Sequence, residues 1–153
     1  MTDLLSLTPD ELTALLLDIG EPKYRAAQMF PQLHCGISPD EMTNIGRQTR
    51  SRLAAVAEYR LPDVRRKLVS RLDGTVKYLF GLADGNCVES VVMTYEHGRT
   101  ICISSQVGCR MGCRFCASTI GGKVRDLVPG ELLGQVIAAQ RDLGERISNI
   151  VMM

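Results

Sequence analysis

A chain of 153 residues has room for one ordinary domain or two very small ones, and 45% hydrophobic with 23% charged residues is the balance of a folded domain. No apolar run is long enough to span a bilayer, the acidic start Met1-Thr2-Asp3 lacks a secretion signal's basic region, and six cysteines therefore imply a reducing, cytoplasmic setting rather than a disulfide scaffold. The net charge of +1 conceals an asymmetry: residues 1–22 carry five acids and no base, and residues 23–77 carry eleven bases against five acids. Arg47, Arg50, Arg52, Arg60, Arg65, Arg66, Lys67, Arg71 and Lys77 in that middle stretch either follow a polyanion backbone or form a solvated basic face.

The first third reads as helical. Thr8-Pro9-Asp10-Glu11 has the hydroxyl cap, early proline and third-position glutamate of a helix start, and Leu12, Leu15, Leu16 and Ile19 share one face up to Gly20. A second helix restarts at Glu21-Pro22 with Tyr24, Ala27 and Phe30 on its stripe. Pro31 is expected to end or kink it. Ser38-Pro39-Asp40-Glu41 repeats the capping pattern, and Ile45 to Val56 supplies a further, basic helix, giving four short helices in residues 1–60.

The period changes at Leu61-Pro62. Val64 to Leu72, Thr75 to Leu82 and Cys87 to Thr94 read as strands, with hairpin turns at Asp73-Gly74 and Asp84-Gly85-Asn86. Residues 61–98 are therefore a β-hairpin connector. A further strand, Thr100 to Ser104, precedes a long irregular loop from Ser105 to Pro129. A helix opens at Pro129-Gly130-Glu131, with Leu132, Leu133, Val136, Ile137 and Leu143 at helical spacing, and Asn149 to Met153 reads as a buried strand. Residues 99–153 thus hold one βαβ unit, and the fold class is α/β.

Chemistry concentrates in Cys109-x3-Cys113-x2-Cys116. Three thiolates within eight residues on a loop after a strand can converge on one soft-metal centre, and Arg110 and Arg114 favour their ionised form. A structural zinc site needs four ligands, and no further cysteine or histidine lies close, since Cys102 sits on a strand and His97 precedes it. Three cysteines suit a four-iron cluster with one iron left open for a non-protein ligand. The alternative is three free thiols.

This motif, with Phe115 before its last cysteine, resembles that of radical S-adenosylmethionine enzymes. Val88-Glu89-Ser90-Val91, the run Arg99 to Cys109, Cys116-Ala117-Ser118-Thr119, Gly130-Glu131 with Gln135, Ser70 to Lys77 and Asn149 to Met153 narrow the resemblance to RlmN-type adenine-C2 RNA methyltransferases. It covers nearly the whole chain. What it implies is a small helical accessory domain that contacts RNA, a hairpin connector, and the first βαβ part of a radical S-adenosylmethionine (β/α) barrel.

By that resemblance Cys109, Cys113 and Cys116 bind a [4Fe-4S] cluster whose open iron holds S-adenosylmethionine, with Phe115 beside it. One electron, from a reducing donor such as flavodoxin, cleaves the cofactor to a 5′-deoxyadenosyl radical. A radical is needed because carbon 2 of adenine is electron-poor. Glu89 matches the family's proton acceptor, its plain alternative being a solvent-facing strand carboxylate, and Glu96 is a local rival. The implied substrates are 23S rRNA and tRNA, with no membrane involved.

Two departures stand out. Pro31 and Gln32 stand where the family's helix carries a tryptophan, and the family continues past Val151-Met152-Met153 into the rest of the cofactor site and a methyl-carrying cysteine. The expectation is therefore an N-terminal portion, inactive by itself. The rivals are a non-catalytic Fe–S and RNA-binding module and a relative that methylates carbon 8.

Overall fold

A computed structural model describes all of residues 1–153, and the chain divides into two compact units, Met1–Arg60 and Leu61–Met153. In the first unit, helix α1 (Pro9–Asp18) starts where Thr8 accepts from the Glu11 amide while the Glu11 carboxylate accepts from the Thr8 amide at 2.8 Å. Leu12 and Leu16 are its fully buried face, packed on α2 (Tyr24–His34) and its buried Met29 and Leu33. Helix α3 (Arg47–Val56) adds Leu53. The two-residue strands β1 (Thr2–Asp3) and β2 (Ala57–Glu58) pair in parallel and join the two ends of the unit.

Two expectations are corrected here. Pro31 does not end α2: it lies inside the helix, which runs on to His34. Proline removes one N–H from the ladder, but Met29 and Leu33 bury the helix on both sides of it, and neighbouring carbonyls gain side-chain partners. Gln32 Nε2 donates to the Gln28 carbonyl at 2.8 Å, and Tyr59 donates to that of Leu33 at 3.0 Å. Ser38–Glu41 is a turn, not a helix: its glutamate does accept from the Ser38 amide at 2.8 Å, but no apolar run follows to propagate a helix. The unit has three α-helices and a 3-10 turn at Leu4–Ser6.

In the second unit β3 (Asp63–Val69), β4 (Val76–Gly81), β5 (Cys87–Tyr95) and β6 (Gly98–Ile103) form an antiparallel meander. Helix α4 (Pro129–Leu143) then crosses to β9 (Ile147–Met152), which pairs with β6 in parallel, so hairpins and βαβ unit share one five-stranded sheet. Val76, Tyr78, Phe80, Val88, Val92, Ile101 and Ile103 alternate onto one face and pack with Val136 and Ala139 of α4. The loop before α4 is less irregular than expected. It holds a hairpin of β7 (Gln106–Gly108) and β8 (Lys123–Asp126), too short for residue alternation to register.

Candidate functional site

The carboxyl ends of the parallel strands β6 and β9 open into a cavity of about 570 Å³. Such strand ends are where open and closed α/β sheets place their ligands. Ser104 and Ser105 follow β6, Met153 follows β9, and Glu89 comes from the neighbouring β5. Cys109 and Cys116 close the cavity from the loop.

The loop that carries the cysteines is pinned at its base. The Cys109 amide donates to the Gly122 carbonyl at 3.1 Å, and Gly108 before it adopts φ 72°. A Cβ at Gly108 would stand 1.9 Å from the Gly122 carbonyl oxygen, so only glycine admits this approach. The Cys116 amide donates to the Cys113 carbonyl at 3.0 Å, folding the x2 spacing into a tight turn, and Thr119 Oγ1 donates to the Cys116 carbonyl at 2.9 Å.

All six cysteines are free thiols. Cys109 and Cys116 are half-buried in the cavity wall, whereas Cys113 and Phe115 are exposed and lie outside that wall. The donor set has the right chemistry for an iron–sulfur cluster: three soft thiols on one glycine-turned loop, two facing a shared cavity. No three Cys, His, Asp or Glu side chains cluster into a metal-holding group. Met111, Phe115 and Ile120 leave apolar surface on the same loop.

Glu89 is half-exposed and pairs with Lys77 Nζ at 2.8 Å. Its main chain is held by Ser104, whose hydroxyl donates to the Glu89 carbonyl at 2.6 Å. Behind Ser104 stands Gln135 of α4, fully buried. Its Oε1 accepts from the Ser90 hydroxyl at 2.8 Å and the Ser104 amide at 3.0 Å, and its Nε2 donates to the Ser104 carbonyl at 2.9 Å. Glu96 lies in the turn after β5, at the opposite end of that strand from the cavity. Sequence reasoning did not single out the roles of Ser104 and Gln135. An amide set in the apolar stripe of a helix is the one signal that marks the latter.

Arg125 of β8 fixes the loop's far end. It makes a bidentate pair with Glu131 at 2.7 and 2.8 Å and reaches Asp84, in the turn between β4 and β5, at 2.7 Å. The Arg125 guanidinium and the Asn86 contacts hold the Asp84 carboxyl well below the usual carboxylate range.

Several members of the basic stretch have internal duties. Arg50 donates to the carbonyls of Asp40, Met42 and Ile45. Arg52 caps α1 at the Ile19 carbonyl and pairs with the buried Glu21. Lys67 pairs with Asp142. These cations build the fold, so the basic stretch is not one continuous ligand-facing surface.

This α/β arrangement, with a cysteine loop at the carboxyl ends of its parallel strands, is similar to part of a radical S-adenosylmethionine methyltransferase. The chain matches the crystal structure of a radical SAM methyltransferase from Sphaerobacter thermophilus with TM-score 0.89 and 38% identity, covering 100% of this chain and 46% of that one. Residues 2–59 match the ribosomal RNA large subunit methyltransferase N-terminal domain. The "probable dual-specificity RNA methyltransferase RlmN" of Lachnospira eligens is 52% identical over 100% of this chain and 44% of its own length. That of Alkaliphilus metalliredigens is 51% identical over 99% and 43%. The chain belongs to the RlmN family as an N-terminal portion of it, spanning under half the length of the curated relatives it matches.

Proposed function

We propose that the protein is the cluster-bearing part of a radical S-adenosylmethionine RNA methyltransferase that places a methyl group on carbon 2 of an adenine in 23S rRNA and tRNA. The observation that carries this reading is the single cavity in which Glu89, Cys109 and Cys116 meet at the strand ends. In it the β6–α4–β9 unit is the first strand–helix–strand repeat of a (β/α) barrel, and residues 1–60 are an RNA-contacting accessory domain.

The cluster, when bound with S-adenosylmethionine and reduced by a flavodoxin-type donor, supplies a carbon-centred radical. The chain's own residues do the rest. Cys109, Cys113 and Cys116 hold the iron, with Phe115 beside the cofactor. The Glu89 carboxylate accepts the proton that leaves carbon 2. Ser104 and Gln135 keep Glu89 at the cavity wall by fixing the main chain on which it stands. No helix is long and apolar enough to cross a membrane, and a cytoplasmic RNA substrate fits this reading.

Anaerobic reconstitution with iron and sulfide tests the assignment. The expected result is a brown chromophore that Cys113→Ala abolishes and that Cys35→Ala or Cys87→Ala leaves in place. A chromophore that survives Cys113→Ala but disappears with Cys35→Ala sinks it.

A further inference from the structure

Strand β3 is the edge of the five-stranded sheet, and all seven of its residues are exposed. Its pairing with β4 is irregular at one point. Val64 opposes Phe80 and Arg66 opposes Leu79, so Arg65 is an extra residue, the mark of a β-bulge. In a regular strand Arg65 and Arg66 would point to opposite faces of the sheet. Here the bulge changes that.

Arg66 opposes Leu79, and Leu79 opposes Glu89, so these three share one face, the face turned away from α4. Arg65 lies over Gly81, where a Cβ would stand 2.4 Å from its Nε. Gly81 is on the same face as Leu79 and opposes Cys87, which lines the cavity. The bulge therefore turns two consecutive arginines toward the cavity side of the sheet, two strand spacings (roughly 10 Å) from Glu89 and Cys87. The absent side chain at Gly81 makes the room for one of them. Arg65 has one loose partner, Asp63 at 3.6 Å, with both groups largely exposed. Unlike Arg50 and Arg52, neither arginine is consumed by backbone carbonyls or a buried acid.

We propose that Arg65 and Arg66, set side by side by this bulge, grip neighbouring phosphates of an RNA strand whose base enters the cavity at Glu89. The proposal rests on the RNA methyltransferase reading and adds the place where the substrate's backbone is held. Paired guanidinium groups suit phosphate oxygens, and a base taken out of its stack needs its backbone fixed close by. The competing role for charge on an edge strand is to block strand-to-strand aggregation. That role is served by either sign of charge, whereas phosphate binding needs the positive one.

Charge reversal separates the two. The 153-residue chain is titrated into a fluorescein-labelled RNA stem–loop with an adenine in its loop, and anisotropy is followed across a salt series. Arg65→Glu with Arg66→Glu is expected to weaken binding on the order of tenfold or more. Loss of two contacts to a single-stranded segment should also flatten the log–log salt slope by about 1.4. Arg141→Ala with Arg146→Ala, exposed at the far end of α4 and just before β9, away from the cavity, should leave affinity and slope unchanged. If circular dichroism shows the glutamate pair unfolded, Arg65→Ala with Arg66→Ala carries the same expectation. Unchanged affinity and slope in the folded double variant, or no binding by the parent chain, overturns the proposal. Cluster loss in the Cys113 variant is scored independently, so the parent reading can stand while this one falls.

Discussion

Gln135 satisfies four polar groups from inside the protein: the Ser90 hydroxyl, both main-chain groups of Ser104, and the Glu131 carbonyl at 3.2 Å. Gln135→Ala leaves a cavity and strands partners that water reaches poorly, for a loss of roughly 3 kcal/mol. Chemical denaturation of the whole chain measures this, and a loss below about 1 kcal/mol would mean that the network is dispensable. Asp84 tests the electrostatics in the opposite direction, from the surface. Its carboxyl is held low by Arg125, so the stability it contributes is fully present above the unfolded value of about 3.9 and drains away as pH falls through the lower folded value. Asp84→Asn should flatten the decline in melting temperature between pH 4 and pH 2 (~2 pH units of acid limb). An acid limb identical to that of the parent refutes the assignment. At this scale the sequence was most legible where chemistry is local. Of the three cysteines spaced closely in the sequence, the structure brings Cys109 and Cys116 to one cavity and leaves Cys113 outside its wall, and nothing in the sequence distinguishes Arg50, spent on three carbonyls, from Arg66, which does not contact them.

Elements were legible where periodicity is long. Helices α1 and α4 and strands β4 to β6 follow the spacing of their apolar residues, because burial on one face imposes it. The β7–β8 hairpin and the Arg65 bulge were not legible, since three- or four-residue strands and a single inserted residue leave no period to detect. Pro31 shows a rule overridden. Local propensity opposes a proline there, but Met29 and Leu33, each fully buried, hold both halves of α2 in the core. The opposition remains stored in the fold. Pro31 is exposed, so Pro31→Ala restores a ladder bond without opening a hole and should stabilise the first unit, by up to roughly 3 kcal/mol. Calorimetry reads the gain, and a lowered melting temperature would show that the ring itself packs usefully.

On the scale of the whole molecule, each unit has its own core, one built on leucines and methionines of three helices, the other on a sheet and one helix. The parallel pairing of Thr2 with Ala57 and Asp3 with Glu58 gives the first unit a property apart from any chemistry. Thr2 and Ala57 stand side by side, one strand spacing (about 5 Å) apart, so the unit's entry and exit lie within a few residues of each other. A polypeptide whose ends meet is topologically a ring with one cut, and the position of the cut is arbitrary. The ends at Met1 and Arg60 can be sealed by a short linker and new ends opened at the exposed Ile37, giving a circular permutant with the same three helices. By the same geometry the unit can be grafted into a surface loop of an unrelated host, since it enters and leaves at one place.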